Sequence, residues 1–222
     1  MTSVRTDSDA GAADRAQTFL DWTRINAKAL TAGAIVVVIA AAGYWFYMRS
    51  KQIQAANAEK ALMQAKQSLG AGNLALAQSD LQSVWSRYES TPAGVQAAML
   101  LAQVDFDNNK AQDGISVLDK ALSSGAASGV ESMIRSLQGD GYAQEGKPAE
   151  AGKAYEKAAD ATGYANEKSQ QLAKAARAYQ VAGDTAKARG IWTRLLDDPN
   201  APGMAAEARV RLGEMTAQVA KR

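Results

Sequence analysis

The residues of this chain that look best placed to do chemistry are two glycine-lysine pairs, Gly146-Lys147 and Gly152-Lys153, in the stretch GKPAEAGKAYEKA. A phosphate-binding loop wraps its ligand in backbone amides and a lysine; it needs Gly, four residues, then Gly-Lys and a hydroxyl residue to hold magnesium. Here five residues separate Gly146 from Gly152, Ala154 stands where the hydroxyl belongs, and no strand-like run comes before. The competing reading is a turn feeding a helix, with Pro148 in the helix's first turn. Other catalytic groups are scarce. With 0 Cys and 0 His the chain has no disulfide, no zinc site of nitrogen and sulfur ligands, no thiol nucleophile and no imidazole base.

Carboxylate pairs remain, Asp105/Asp107 and Asp197/Asp198, but solvated turn charges explain them better than a metal site does. Residues 50–222 carry 20 Lys and Arg against 19 Asp and Glu without a basic block, which argues against nucleic acid as a ligand. The expectation is therefore no enzyme, no catalytic residue, no cofactor, no metal and no small-molecule substrate.

The elements that hold these residues are helices. Ala is abundant, the 4 Pro are spread thinly, and β-branched runs are confined to one segment, so the composition predicts an all-α chain. That segment, ALTAGAIVVVIAAAGYWFYM (29–48), carries no charge between Lys28 and Arg49 and is long enough to span a bilayer core of about 30 Å as a helix. Tyr44, Trp45 and Tyr47 at one end and Trp22 before the other sit where aromatic rings anchor at a membrane interface. A signal peptide processed near Ala40–Ala42 competes with this reading, but the leader is long and the apolar run continues past Ala42. Residues 14–30 form either a short interfacial helix or the polar start of the membrane helix. Both flanks are basic, so the charge rule does not orient the span. No Gly or Pro follows until Gly70, which predicts that the helix continues through 49–69.

From there the sequence repeats. GNLALAQSDLQSV, NKAQDGISVLDKA, GKPAEAGKAYEKA and GDTAKARGIWTRL start at Gly72, Asn109, Gly146 and Gly183, each 37 residues after the last. Small residues recur at Ala77, Gly114, Ala151 and Ala188; large apolar ones at Leu81, Leu118, Tyr155 and Trp192; and apolar ones at Val84, Ala121, Ala158 and Leu195. That spacing makes one face of a helix. Upstream of each turn, Ala65, Ala102, Gly139 and Ala176 form a matching small column, joined in the last two units by Tyr142 and Tyr179. Small columns let helices approach closely. The pattern resembles the tetratricopeptide repeat, a helix-turn-helix unit of 34 residues, with the third and fourth units fitting best. Leu212 and Gly213 fall where a fifth first helix places its leucine-glycine pair, which predicts a capping helix at about 205–220.

The layout as a whole resembles one family: the single-span, tetratricopeptide-like ancillary subunit of the bacterial SecYEG translocon. The resemblance is carried by the leader ending INAKALTAGAIVVV, the aromatic exit GYWFYM, the following helix with Gln54, Ala58 and Ala61, and RYESTPAGVQAAMLLAQVDFDNNKAQDGISVLDKAL. It implies a cytoplasmic N-terminus, a periplasmic repeat domain at the inner membrane, and contact with the translocon and periplasmic chaperones. The division expected is a tail (1–28), a transmembrane helix (29–48) and an α-solenoid of about four helix pairs plus cap (49–222). Stacked pairs present their first helices as a continuous concave surface for protein segments, and in that geometry Met99, Gln103, Phe106, Asp140, Arg177 and Gln180 would line it. A clamp for a C-terminal carboxylate is not expected, since Leu62, Leu100 and Leu137 fall where polar groups would be needed. A permanent accessory subunit of another large membrane complex, such as an energy-converting or photosynthetic one, is the alternative, and an enzyme is a distant third.

Overall fold

Four residues spaced at 37, Gly72, Asn109, Gly146 and Gly183, have φ of 75°, 58°, 68° and 79°. This left-handed conformation suits glycine and is tolerated by asparagine. In the computed structural model, which describes residue 25 and residues 27–200 and 202–220, each of the four closes the same turn. The turn residue's N–H reaches the carbonyl three residues back (Leu69, Phe106, Ala143, Gln180). The next N–H reaches five back (Ser68, Asp105, Tyr142, Tyr179), at 2.7 to 3.1 Å. These paired bonds satisfy the carbonyls that a helix end leaves open, so the chain reverses the same way four times.

The turns separate helices α1 (Ala27–Gly70), α2 (Leu74–Tyr88), α3 (Pro92–Asp107), α4 (Ala111–Ser123), α5 (Glu131–Gln144), α6 (Pro148–Asp160), α7 (Ala165–Val181), α8 (Thr185–Asp197) and α9 (Pro202–Ala220). No strand occurs among the described residues. Local chemistry starts the helices where they start. The Asn73 and Asp184 side chains accept from the N–H groups of Leu76 and Lys187, and Thr91 from that of Gly94, just ahead of Pro92 at the opening position of α3. Side-chain acceptors of this kind replace the bonds missing at a helix N-terminus, and proline fits there because its absent N–H is not missed.

The described residues fall into two compact units, divided between Ile53 and Gln54 within α1. In the first unit, α1 holds a window long and apolar enough to cross a membrane, none of it buried. Val36, Val37, Val38 and Ile39 are each about two-thirds exposed, as are Tyr44 and Trp45. The readings of Trp22 and of the leader ahead of it lie outside the described residues.

The second unit pairs α1 beyond Gln54 with α2, then α3 with α4, α5 with α6 and α7 with α8, and α9 packs on α8. The repeat columns are its core. Ala77, Leu81, Leu118, Ala151, Ala158, Ala188 and Trp192 have no exposed surface, and Ala65, Ala102 and Ala176 are equally buried opposite them. A Cβ on Gly139 would lie 2.5 Å from the Tyr155 ring, and one on Gly152 would lie 2.8 Å from the Tyr179 ring. The second glycine of the suspected phosphate cradle is therefore where an aromatic ring rests, and Lys147 turns to Glu145 at 2.9 Å. Burial forms two apolar clusters, one running from Ala58 to Ile134 and one from Ala151 to Met215, with Tyr142 packed against both.

Candidate protein-binding surface

Successive first helices touch one another. Ser132 on α5 donates to Glu167 at 2.7 Å, Lys174 on α7 donates to Ser136 at 3.1 Å, and Arg177 holds Glu207 on α9 through two bonds of 2.8 and 2.6 Å. Two hollows open along these helices. One, of about 360 Å³, is lined by Met99, Val95, Pro92, Val130 and the half-exposed Met133, with Glu59 at its edge. The other, of about 390 Å³, is lined by Pro148, Tyr155, Lys174, Arg177, Ala178 and Val181. Val181 is 78 % exposed, a large apolar group left in water.

The six residues anticipated on this face have different roles. Met99 and Arg177 line the two hollows, and Gln103 is exposed. Asp140 accepts from the Tyr155 hydroxyl at 2.6 Å and from Lys174 at 3.1 Å. Gln180 accepts from the Trp192 indole N–H at 3.2 Å, fixing the ring at the centre of the fourth pair. Phe106 is only 8 % exposed, and its ring fills space left free by Gly114 and Gly141, so it is a packing residue. Asp105 also departs from the sequence reading. It is no solvated turn charge but a buried carboxylate, 4 % exposed, accepting from Gln78 at 2.7 Å.

The electrostatics are those of internal ties. Burial, and then the bond to Asp140, push the Tyr155 hydroxyl well above its ordinary pKa; burial and Glu156 do the same to Tyr179. Both phenols stay protonated and donate to carboxylates, at 2.6 and 2.5 Å. The Arg177 guanidinium holds Glu207 below the usual carboxylate range, and the Ser132 and Thr162 hydroxyls do the same for Glu167. Among the described residues no three His, Cys, Asp or Glu side chains gather as a metal site would require. Lys174 and Val181 were missed in the sequence. Lys174 lies one helical turn before Arg177, a spacing that places both on one face; nothing in the sequence singles out Val181.

Helix hairpins of one length, closed by one turn and stacked through their first helices, define an α-solenoid of the kind that serves as a scaffold for other proteins. The chain matches the family described as tetratricopeptide repeat-like domain over residues 21–136, just over half its length, and it belongs to that family. The match takes in the first two helix pairs, while the repeat's signature residues stand clearest in the third and fourth. Among solved structures, MamA aligns with 71% of this chain and 81% of its own, at 18% identity and a TM-score of 0.52. BtubC from P. vanneervenii aligns over 70% and 64%, at 15% identity and 0.55. A putative kinesin light chain of Podosopora anserina, with nearly identical TPR-like repeats, aligns over 72% and 90%, at 15% and 0.53. At such identities the likeness is one of fold. Among curated proteins no sequence matches the chain.

Proposed function

We propose that the chain is a membrane-tethered scaffold: residues 29–48 cross a bilayer, and the repeat domain, residues 49–222, recruits or stabilises partner proteins beside it. The observation that carries this reading is the wholly unburied apolar window of α1, in a chain whose remaining helices form a protein-binding type of repeat. A run of valine and isoleucine left in water would cost about 25 cal/mol for each Å² exposed, and a bilayer removes that cost. Tyr44, Trp45 and Tyr47 anchor its C-terminal end, with Trp22 at the other, and Lys51 stacks over the Tyr47 ring at 4.9 Å. The two hollows on the first helices, reached through Met99, Arg177 and their neighbours, are where partner segments dock. No reaction and no cofactor are assigned.

The finer placement rests on the resemblance of the leader, the aromatic exit and the first two units to the ancillary subunit of the SecYEG translocon. It puts the protein at a bacterial inner membrane, with the N-terminus cytoplasmic, the repeats periplasmic, and the translocon and chaperones as partners. Mild-detergent purification followed by mass spectrometry tests it. Translocon subunits co-purifying in stoichiometric amounts are expected; stoichiometric subunits of a different membrane complex would instead establish an accessory subunit of that complex.

A further inference from the structure

The two hollows on the first helices differ in charge. Among the described residues, the one beside Met99 has Glu59 as its single charged group, whereas the one lined by Pro148, Tyr155, Ala178 and Val181 holds Lys174 and Arg177 and no carboxylate. Its lysine breaks the repeat: the column that carries Met63, Leu100 and Leu137 in the first three units has Lys174 in the fourth. Both cations are tied into the stack, Lys174 to Ser136 and Asp140 and Arg177 to Glu207, which fixes where their charge lies. They keep capacity for a ligand. Arg177 bonds Glu207 through Nε and Nη2, so the donors on Nη1 remain, and the side chains of Lys174 and Arg177 are 38 % and 45 % exposed. One turn beyond Arg177 stands Val181, the large apolar group left in water.

Resting on the reading that partner segments dock in these hollows, we infer that this one takes an extended segment in which an aspartate or glutamate stands two residues from a large aliphatic or aromatic side chain. Two features select that occupant. A side-chain carboxylate complements two cations placed one helical turn apart, and a guanidinium with an unused amino group binds it through a charge-assisted bond. The spacing follows from the helix. Arg177 and Val181 are four residues apart, about 6 Å along the axis of α7, and in an extended chain side chains two residues apart share a face at about 6 to 7 Å. The carboxylate then meets Arg177 and Lys174 while the apolar side chain covers Val181, Pro148 and Ala178.

The test uses the full chain in lipid nanodiscs and a displayed library of random nonapeptides, counter-selected on empty nanodiscs. Recovered peptides should carry Asp or Glu two residues from Leu, Ile, Met or Phe at least several-fold more often than the starting library. One of them, synthesised with both ends blocked, should bind several-fold more weakly to Val181→Ser, a change outside the core, and should weaken as much when its own acidic residue is replaced by serine. Arg177→Glu should reverse the preference, favouring the same peptide with lysine in place of the acid, with unchanged circular dichroism showing that the helices persist. Peptides that need Val181 but no carboxylate, or a folded Arg177→Glu that shows no reversal, overturn this inference and leave docking in the hollow standing. Peptides indifferent to both Val181 and Arg177, or no recovered peptide at all, overturn the docking reading together with it.

Discussion

Asn109 occupies, at φ 58°, the position that the other three turns give to glycine. Its side chain eases but does not abolish the clash that a Cβ brings in the left-handed region. Asn109→Ala should therefore be less stable than Asn109→Gly by about 1 kcal/mol, read as a difference in Tm between the two variants. Two carboxylates should respond to pH in opposite directions. Burial pushes Asp105 above its ordinary value, against the pull of Gln78. A raised value favours folding in the protonated state, so this contribution is full in acid and lost as pH rises through the folded value. Asp105→Asn, which keeps an oxygen for Gln78, should melt above the parent at pH 7, and the gap should close as the parent is acidified to about pH 4. Glu207 is depressed, first by its bond to Arg177. Its contribution is present at neutral pH and lost as pH falls through the folded value. Glu207→Gln should lower the stability at neutral pH by no more than about 1 kcal/mol, the scale of a partly exposed pair, read as a small drop in Tm, with the gap narrowing in acid. Equal gaps at both pH values would refute either assignment.

At the scale of elements, the helix pairs were legible because their signals are local. A turn residue every 37 positions and columns one helical face wide can be read along the chain, and the structure places those columns in the core. The ties between pairs were not legible. Tyr155, Asp140 and Lys174 meet across separations of 15 and 34 residues, and no periodicity links residue types that occur in one unit only. Phe106 shows the same limit: register gave its direction, while its burial depends on two glycines, at 114 and 141, on other helices. Trp192 is the point at which local pattern and long-range packing coincide, fully buried with its N–H held by Gln180. Trp192→Ala should cost about 3 to 5 kcal/mol, seen as a lowered denaturant midpoint; an unchanged midpoint would remove the ring from the core.

For the whole molecule, the fold class could be read from the sequence, whereas membrane topology could not, because the basic residues on the two flanks of the span balance. Orientation therefore needs a direct probe. In the loop after α4, Gly125 is in the left-handed region, with φ 74°, where a cysteine would be strained, so the neighbouring exposed Ser123 on α4 is the site for an introduced cysteine. Ser123→Cys should react with a membrane-impermeant maleimide in cells whose outer membrane alone is permeabilised. Protection until the inner membrane is breached would reverse the proposed topology. Alkaline carbonate should leave the full chain with the membrane, and a chain starting at Gln54 should be released.

The division of the core at Tyr142 also has a mechanical meaning. Between Ile134 and Ala151 that half-buried ring packs against both apolar clusters, next to the close approach of Gly139 and the Tyr155 ring, and in a stack each unit is held only by its neighbours. A pull along the chain, from a tether at one end and a cargo at the other, would concentrate at this joint. The helices up to α5 would hold while those from α6 onward peeled away against the Tyr155–Asp140 and Lys174–Ser136 bonds that cross the joint, and Tyr142→Ala would lower the force at which the stack parts before it changed the contents of either half.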